Sequence, residues 1–255
     1  MKVTIITVTY NSAKFLEDCM NSVFTQDFNN IEYIVVDGGS TDETVAIIKQ
    51  HEKKIAKWIS EKDDGMYEAI NKGMRMATGD IIGLLNSDDL LASRDVISSI
   101  VKAFKQHKVD CIYSDLVYVD RFNTQKIVRY WKGLSYKRHR FNYGWMPAHP
   151  TFYVRKDVVE HLGEYESHFF TAADYEFMTR LLYRYRISAY YLPKLTVKMR
   201  TGGASNVSFY SRFRANRRDY LSMKRNKVPF PFFVSLLKPL SKLNQYYYTL
   251  FKKVL

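Results

Sequence analysis

Cysteine is almost absent from the 255 residues. Cys19 and Cys111 stand far apart in no metal-ligand spacing, which excludes a disulfide framework and an ordinary zinc site and fits small core residues in a reducing compartment. Neither GxGxxG nor GxxxxGK[ST] occurs, so the dinucleotide fingerprint and the P-loop are excluded as sources of nucleotide binding. Internal repeats and low-complexity linkers are also missing. The opening MKVTIITVTYNS has one lysine, a β-branched run and no small-residue cleavage site, so a cytoplasmic body without a secretory signal is expected. Acidic residues nearly vanish from the last fifty positions: residues 206–255 hold eleven Lys or Arg against Asp219 alone, and so carry most of the net charge of +13.

What is present is a chain 46% hydrophobic, enough for one large core with an appendage. VTIITVT at 3–9 reads as a strand, and Phe15, Leu16, Cys19, Met20 and Val23 then recur at helical spacing. The unit repeats with an apolar run at 31–36, the loop Asp37-Gly38-Gly39-Ser40-Thr41-Asp42 and a second helix. A short strand near 56–59, a helix at 66–77 with Gly79 expected as its C-cap, a strand at 81–85 and a helix near 95–106 follow. Strand 111–119 has a hairpin partner at 124–131; 151–154, 187–192 and 196–199 read as further short strands, and helices are expected at 157–162 and 172–183. Strands alternating with helices at this pitch predict crossover units and an α/β fold with a mainly parallel sheet.

The stretch DIIGLLNSDD, residues 80–89, is a buried strand that ends in Asn86, Ser87, Asp88 and Asp89. Adjacent carboxylates at the carboxyl end of a parallel strand repel one another, and a divalent cation with oxygen ligands relieves that repulsion. The alternative is that Ser87 or Asp88 opens a helix as its N-cap.

Four ordered segments, TVTYNS at 7–12, VVDGGSTDET at 35–44, DGMYEAINKGMRMATGD at 64–80 and NSDD at 86–89, together resemble glycosyltransferase family 2 with its GT-A fold. Within it the chain looks most like bacterial enzymes that build capsular, exopolysaccharide or O-antigen units. The resemblance implies a GT-A domain at 1–205, with a nucleotide-sugar half at 1–120 and an acceptor half at 121–205. It implies that Asp37 hydrogen-bonds the nucleobase, where the alternative is that it only stabilises its Gly-Gly turn. Thr7, Thr9, Tyr10 and Asn11 would line the same pocket, with Asp63, Asn71 and Lys72 near the nucleotide. Asp88 would lie near the ribose or metal and Asp89 on a Mg²⁺ or Mn²⁺ that bridges the diphosphate, although Asn86 stands where many members have an acid.

AADYEF at 172–177 matches the family's helix-start base motif, which makes Asp174 the expected general base of an inverting transfer. The usual preceding acid is replaced by Ala173, and a charge favoured by the helix dipole is the alternative role. His149, in PAHPTF, is expected to contact acceptor or diphosphate, or else to be a structural hydrogen-bonder. Arg200 with Gly202-Gly203 is expected to form a mobile lid whose cation meets the leaving diphosphate. The implied partners are a nucleotide-sugar donor, with a UDP-sugar expected, and an oligosaccharide or lipid-linked acceptor. Two rivals stay open: a sugar nucleotidyltransferase, which would release pyrophosphate, and a non-enzymatic membrane- or nucleic-acid-binding protein on a degenerate scaffold.

Residues 207–227 read as a basic helix. The apolar run at 228–237 lasts ten residues before Lys238, too short for the ~20 of a membrane span. With the aromatic patch at 246–250, residues 206–255 are expected to form an anchor on an anionic inner-membrane surface, peripheral on its cytoplasmic face. Packing of this segment on the body or on a dimer partner is the alternative. No RNA-reading aromatic motif appears, so nucleic acid is not an expected partner, and the oligomeric state is left open.

Overall fold

The computed structural model describes residues 1–202 and 209–241. Gly203 of the expected lid and the aromatic patch at 246–250 lie outside the described residues. Strands β1 (Val3–Thr9), β2 (Ile31–Asp37), β3 (Lys57–Ser60) and β4 (Ile81–Leu84) pair in the order β3-β2-β1-β4, all parallel. Every residue of β1 is buried, which is why its β-branched sequence runs without polar alternation. Helices α1 (Ala13–Phe24), α2 (Thr44–Gln50) and α4 (Val96–His107) cover one face through Leu16, Met20, Ile48 and Ile100; α3 (Met66–Met76) covers the other through Ala69, Ile70 and Met74.

Beyond β4 the sheet becomes mixed. β8 (Tyr153–Arg155) runs antiparallel to β4 and to β6 (Cys111–Val119), while β9 (Ala189–Arg200) lies parallel to β6 and carries the short β5 (Leu90–Leu91) at the edge. β7 (Ile127–Trp131) folds back on β6 as the expected hairpin. The longer registers are parallel, and the α/β architecture with flanking helices is the one the sequence predicts.

Three local expectations are corrected. Gly79 does not cap α3, whose C-cap is Ala77 in extended conformation; a Cβ at Gly79 would stand 2.6 Å from Thr4 Oγ1 and 2.8 Å from Thr4 N, so glycine is there to let the chain press against β1. The expected strands at 187–192 and 196–199 are one strand, β9, in which Pro193 and Lys194 are absorbed by a register shift opposite Ser114 and Asp115. The helix expected across 172–183 is a six-residue α6 (Ala173–Met178) continued by a π-helical turn, Thr179–Arg184.

At the C-terminal end, α7 (Phe209–Arg225) and α8 (Pro231–Ser241) form a hairpin packed on the body, the alternative arrangement drawn from the sequence. Met223, Val228 and Val234 are buried there, and α5 (Lys156–Leu162) precedes the loop they cover. The Asn226 side chain donates to Glu176 of α6 at 3.2 Å, Arg225 pairs with Glu166, and the Lys238 ammonium bonds Asp219 at 2.7 Å while lying 3.7 Å from the Tyr175 ring. Among the described residues no helix is long and apolar enough to cross a membrane.

Candidate active site at the carboxyl edge of the sheet

All four parallel strands end on one edge, and β1 has β2 on one side and β4 on the other, the topology that opens a crevice outside the strand ends. The loops there are stitched together. Asp37, fully buried at the end of β2, accepts from Gly39 N at 3.1 Å, Ser40 N at 3.0 Å, Ser40 Oγ at 2.5 Å and Ser60 Oγ at 2.6 Å. It therefore stabilises its turn, while Oδ1, which takes only the Ser40 hydroxyl among these, retains acceptor capacity for a base N–H. Gly38 is where Asp63 joins this loop: a Cβ would lie 2.9 Å from Asp63 Oδ2. Asn11, at φ 47°, accepts from Thr41 N at 2.8 Å and gives its own N–H to Ser40 Oγ at 2.8 Å, so the β1 and β2 loops form one wall.

Tyr10 projects from that wall with 62% of its surface exposed, as an open ring at the strand end must. Thr9 beside it is buried, and its hydroxyl finds no hydrogen-bond partner among the described residues. Such an orphaned polar atom at the rim of a crevice is what a site awaiting a polar ligand presents. Thr7 sits deeper. It lies a full strand repeat below Thr9, its hydroxyl accepting from Tyr33 at 3.0 Å and touching Cys19 Sγ at 3.8 Å, and so belongs to the core under the site. Burial pushes the Cys19 thiol up to about 12, which fits an inert core residue.

Asn71 and Lys72 are both tied into loop contacts. The Asn71 amide clamps the Tyr165 backbone, donating to its carbonyl at 2.8 Å and accepting from its N–H at 3.0 Å. Lys72 bonds Glu61 at 2.9 Å. Both brace loops that border the crevice.

In NSDD the two carboxylates differ. Asp89 is completely enclosed; its oxygens accept from Asn86 Nδ2 at 3.0 Å and from the Arg200 backbone N–H at 3.3 Å. Burial and then the neighbouring Asp88 charge hold its carboxyl well above the usual range. Asp88 is half-buried at the loop surface. Arg200, expected to serve a mobile lid, is held from several sides. Its guanidinium is 3% exposed and committed to the Asp18 carboxylate at 2.6 Å, the Asp88 carbonyl at 2.8 Å and the Arg121 carbonyl at 3.1 Å, with the Phe15 ring at 4.9 Å. It locks the NSDD loop to α1 and to the β6–β7 hairpin.

No group of three or more His, Cys, Asp or Glu side chains that would hold an ion gathers among the described residues. Mg²⁺ and Mn²⁺ need no such cage where substrate phosphates complete the shell, and one or two carboxylates suffice. Asp88, half-buried at the loop surface, with Asp89 enclosed behind it, fits that requirement.

Asp174 stands in the first turn of α6, where Oδ1 accepts its neighbour Tyr175 N at 2.7 Å and Oδ2 lies 3.2 Å from His149 Nδ1. Both side chains keep solvent access, 16% for Asp174 and 27% for His149. Two tyrosines respond to the Asp174 charge. Burial and then the Asp174 charge push the hydroxyl of Tyr67, in the first turn of α3, well up, and the Asp174 backbone hydrogen-bonds it. The Tyr118 hydroxyl on β6 is raised by burial and feels the charges of both Asp89 and Asp174, while Arg129 opposes that rise. Arg129 lies across the hairpin register from Tyr118 with its guanidinium 3.7 Å from the ring. Neither Tyr118 nor Arg129 is singled out by the sequence, because their pairing exists only once the hairpin register is set; Tyr67 lies inside the DGMYEAINKG segment and had that much signal.

This geometry has counterparts. An uncharacterised glycosyltransferase of Mycobacterium tuberculosis is 32% identical over 184 residues, covering 70% of this chain and 68% of its own. A PGL/p-HBAD biosynthesis glycosyltransferase of Mycobacterium bovis is 29% identical over 180 residues, 69% of this chain and 68% of its own. Among solved structures, S. aureus TarS residues 1–349 in complex with UDP-GlcNAc superposes with a TM-score of 0.73 at 18% identity, over 100% of this chain and 77% of that one. A Pyrobaculum calidifontis mannosyltransferase in complex with GDP-Man and Mn²⁺ gives 0.66 at 18% identity, over 99% and 76%. The fold is thus the GT-A fold of these enzymes, and residues 4–163 match the family model described as glycosyl transferase family 2. With that match spanning the strand ends, their loops and the NSDD segment, the chain belongs to glycosyl transferase family 2 and is a glycosyltransferase.

Proposed function

We propose that the protein is an inverting glycosyltransferase that moves a sugar from a nucleotide donor, with UDP-sugars the expected class, to a lipid-linked oligosaccharide in the assembly of a bacterial surface polysaccharide or glycolipid. The observation that carries this reading is the Asp174–His149 contact, open to solvent over 16% and 27% of the two side chains, in a family 2 chain whose Asp88-Asp89 loop follows the carboxyl end of β4. Asp174 takes the proton of the acceptor hydroxyl as its oxygen attacks the anomeric carbon; the bond to the departing nucleoside diphosphate breaks in the same displacement, so the configuration inverts. His149 orients the carboxylate. Tyr10, Asn11, Asp37 and Asp63 form the nucleotide end of the crevice, and Thr9 supplies its unpartnered hydroxyl. A bound Mg²⁺ or Mn²⁺, held by Asp88 with Asp89, would supply charge neutralisation for the diphosphate. Arg129, which stacks on Tyr118, takes the cationic role expected of Arg200.

The UDP-GlcNAc of TarS supports a UDP-sugar, the Mn²⁺ of the mannosyltransferase supports the cation, and the mycobacterial PGL/p-HBAD biosynthesis glycosyltransferase supports a biosynthetic role. A panel of UDP-, GDP-, CMP- and dTDP-sugars with and without Mn²⁺, read by thermal shift and by product release, tests the reading. Slow donor hydrolysis to a nucleoside diphosphate is expected. Pyrophosphate release would identify the nucleotidyltransferase instead, and no response to any donor would end the enzymatic reading.

A further inference from the structure

α8 is inside out. Its protein-facing positions include Ser235 and Lys238, buried beside Val234, whereas Phe232, Phe233, Leu236 and Leu237, at i, i+1, i+4 and i+5, are 59%, 62%, 52% and 39% exposed. Phe230, in the turn before them, is 75% exposed. A helix in a water-bathed protein turns its apolar stripe inward, and a contiguous apolar face turned outward marks an interaction surface. The face is held in place by packing and polar contacts. α7 and α8 are anchored by buried Met223 and Val234 and by the Asn226–Glu176 and Lys238–Asp219 contacts described above.

We propose that this outer face of α8, led by Phe230, is a membrane-docking surface that seats in the headgroup layer of an anionic bilayer. The occupant is identified by charge. Lys224, Arg225 and Lys227 are exposed on the adjoining turn, and the last fifty residues hold eleven cations against one acid. A second copy packed face to face would bring like charges together, whereas anionic headgroups complement them. Aromatic and leucine side chains beside lysines and arginines are the composition of helices that lie in an interface without crossing it. Because the hairpin packs on α6, docking would hold Asp174 at a set distance from the bilayer. The inference gives the lipid-linked acceptor reading its surface, but its test needs neither donor nor acceptor.

Phe233→Cys provides the test, since Cys19 and Cys111 are both buried and a thiol-reactive, environment-sensitive fluorophore will label position 233 selectively. The labelled full-length protein is titrated with vesicles of phosphatidylcholine alone or with a third phosphatidylglycerol. A severalfold brighter, blue-shifted emission is expected on the anionic vesicles and not on the neutral ones, weakening as salt shortens the Debye length from ~10 Å to ~3 Å. The same label at Lys102→Cys, exposed on α4 across the sheet, stays unchanged. Phe232→Ser with Leu236→Ser in that background lowers vesicle affinity at least tenfold while donor hydrolysis is unaltered. No emission change, an equal change on neutral vesicles, or an equal change at position 102 overturns the proposal. A blue shift that grows with protein concentration in the absence of vesicles also overturns it and makes the face a contact between copies. Failure of donor hydrolysis with normal docking would instead count against the glycosyl-transfer reading alone.

Discussion

Replacing His149 by alanine leaves the Asp174 carboxylate with one of its two fixed partners. At 3.2 Å and an effective dielectric near 20 a fully charged pair would attract by about 5 kcal/mol. Solvent reaches 27% of one side chain and 16% of the other, which brings the interaction down to about 1.5–3 kcal/mol, the range of a hydrogen bond to a charged group. Tyr175 N–H still holds Oδ1 at 2.7 Å, so the carboxylate is loosened without being released, and the lower end of that range applies. The expected result is a roughly tenfold fall in kcat with the donor KM unchanged, measured by nucleoside diphosphate release under saturating acceptor. Asp174→Asn should cost about 10²–10⁴-fold, the usual contribution of a general base. Adding His149→Ala to Asp174→Asn should then cost almost nothing further, because an orienting residue has no effect once the group it orients is gone. Additive losses in the double variant, or wild-type turnover in His149→Ala, would refute the reasoning.

Other outcomes follow from the same contacts. Asp88→Asn should raise the Mn²⁺ concentration for half-maximal activity at least tenfold, roughly the loss of one charged ligand, with a melting curve like that of the parent. Arg200→Ala should act as a stability lesion, lowering Tm by roughly 5–10 °C through the loss of about 2–3 kcal/mol of buried guanidinium contacts, and its remaining folded fraction should bind donor normally. For Glu32, burial works against ionisation, but hydrogen bonds from Thr4, Thr78 and Lys2 prevail and hold its carboxyl down at about 2. The folded value is depressed, so its contribution, on the order of 3 kcal/mol, is complete above pH 4.5 and lost as pH falls toward 2. The difference in unfolding free energy between the parent and Glu32→Gln should shrink across that window; a difference independent of pH would contradict it.

Much of the fold is written locally. β1, α1 and β2 announce themselves because burial on both faces demands β-branched runs and because helical spacing repeats within one element. Where the outcome depends on a distant partner, the sequence is silent. Gly79 looks like a helix cap until β1 is laid beside it, and Pro193 looks like a strand break until β6 supplies the bulge that accommodates it. The site divides the same way. Asp37, Asp88, Asp89 and Asp174 are legible as acids at strand ends and a helix start. For Thr7 and Arg200 the sequence shows neither depth nor partner: the hydroxyl lies one strand repeat below Thr9 and the guanidinium is tied to Asp18. The Asp174–His149 contact joins residues from separate segments and becomes visible only in three dimensions. The apolar run at 228–237 with its flanking cations suggested a surface anchor, and the structure adds which of its side chains face outward.

The bond between Asn226 and Glu176 has a practical corollary for anyone engineering the enzyme. Cutting the gene just after the last sheet strand would strip Met223 from its seat and leave the helix that bears Asp174 without its outer brace. Expression boundaries and chimeras should therefore keep both helices of the hairpin, or exchange them together with the residues of α6 on which they lie.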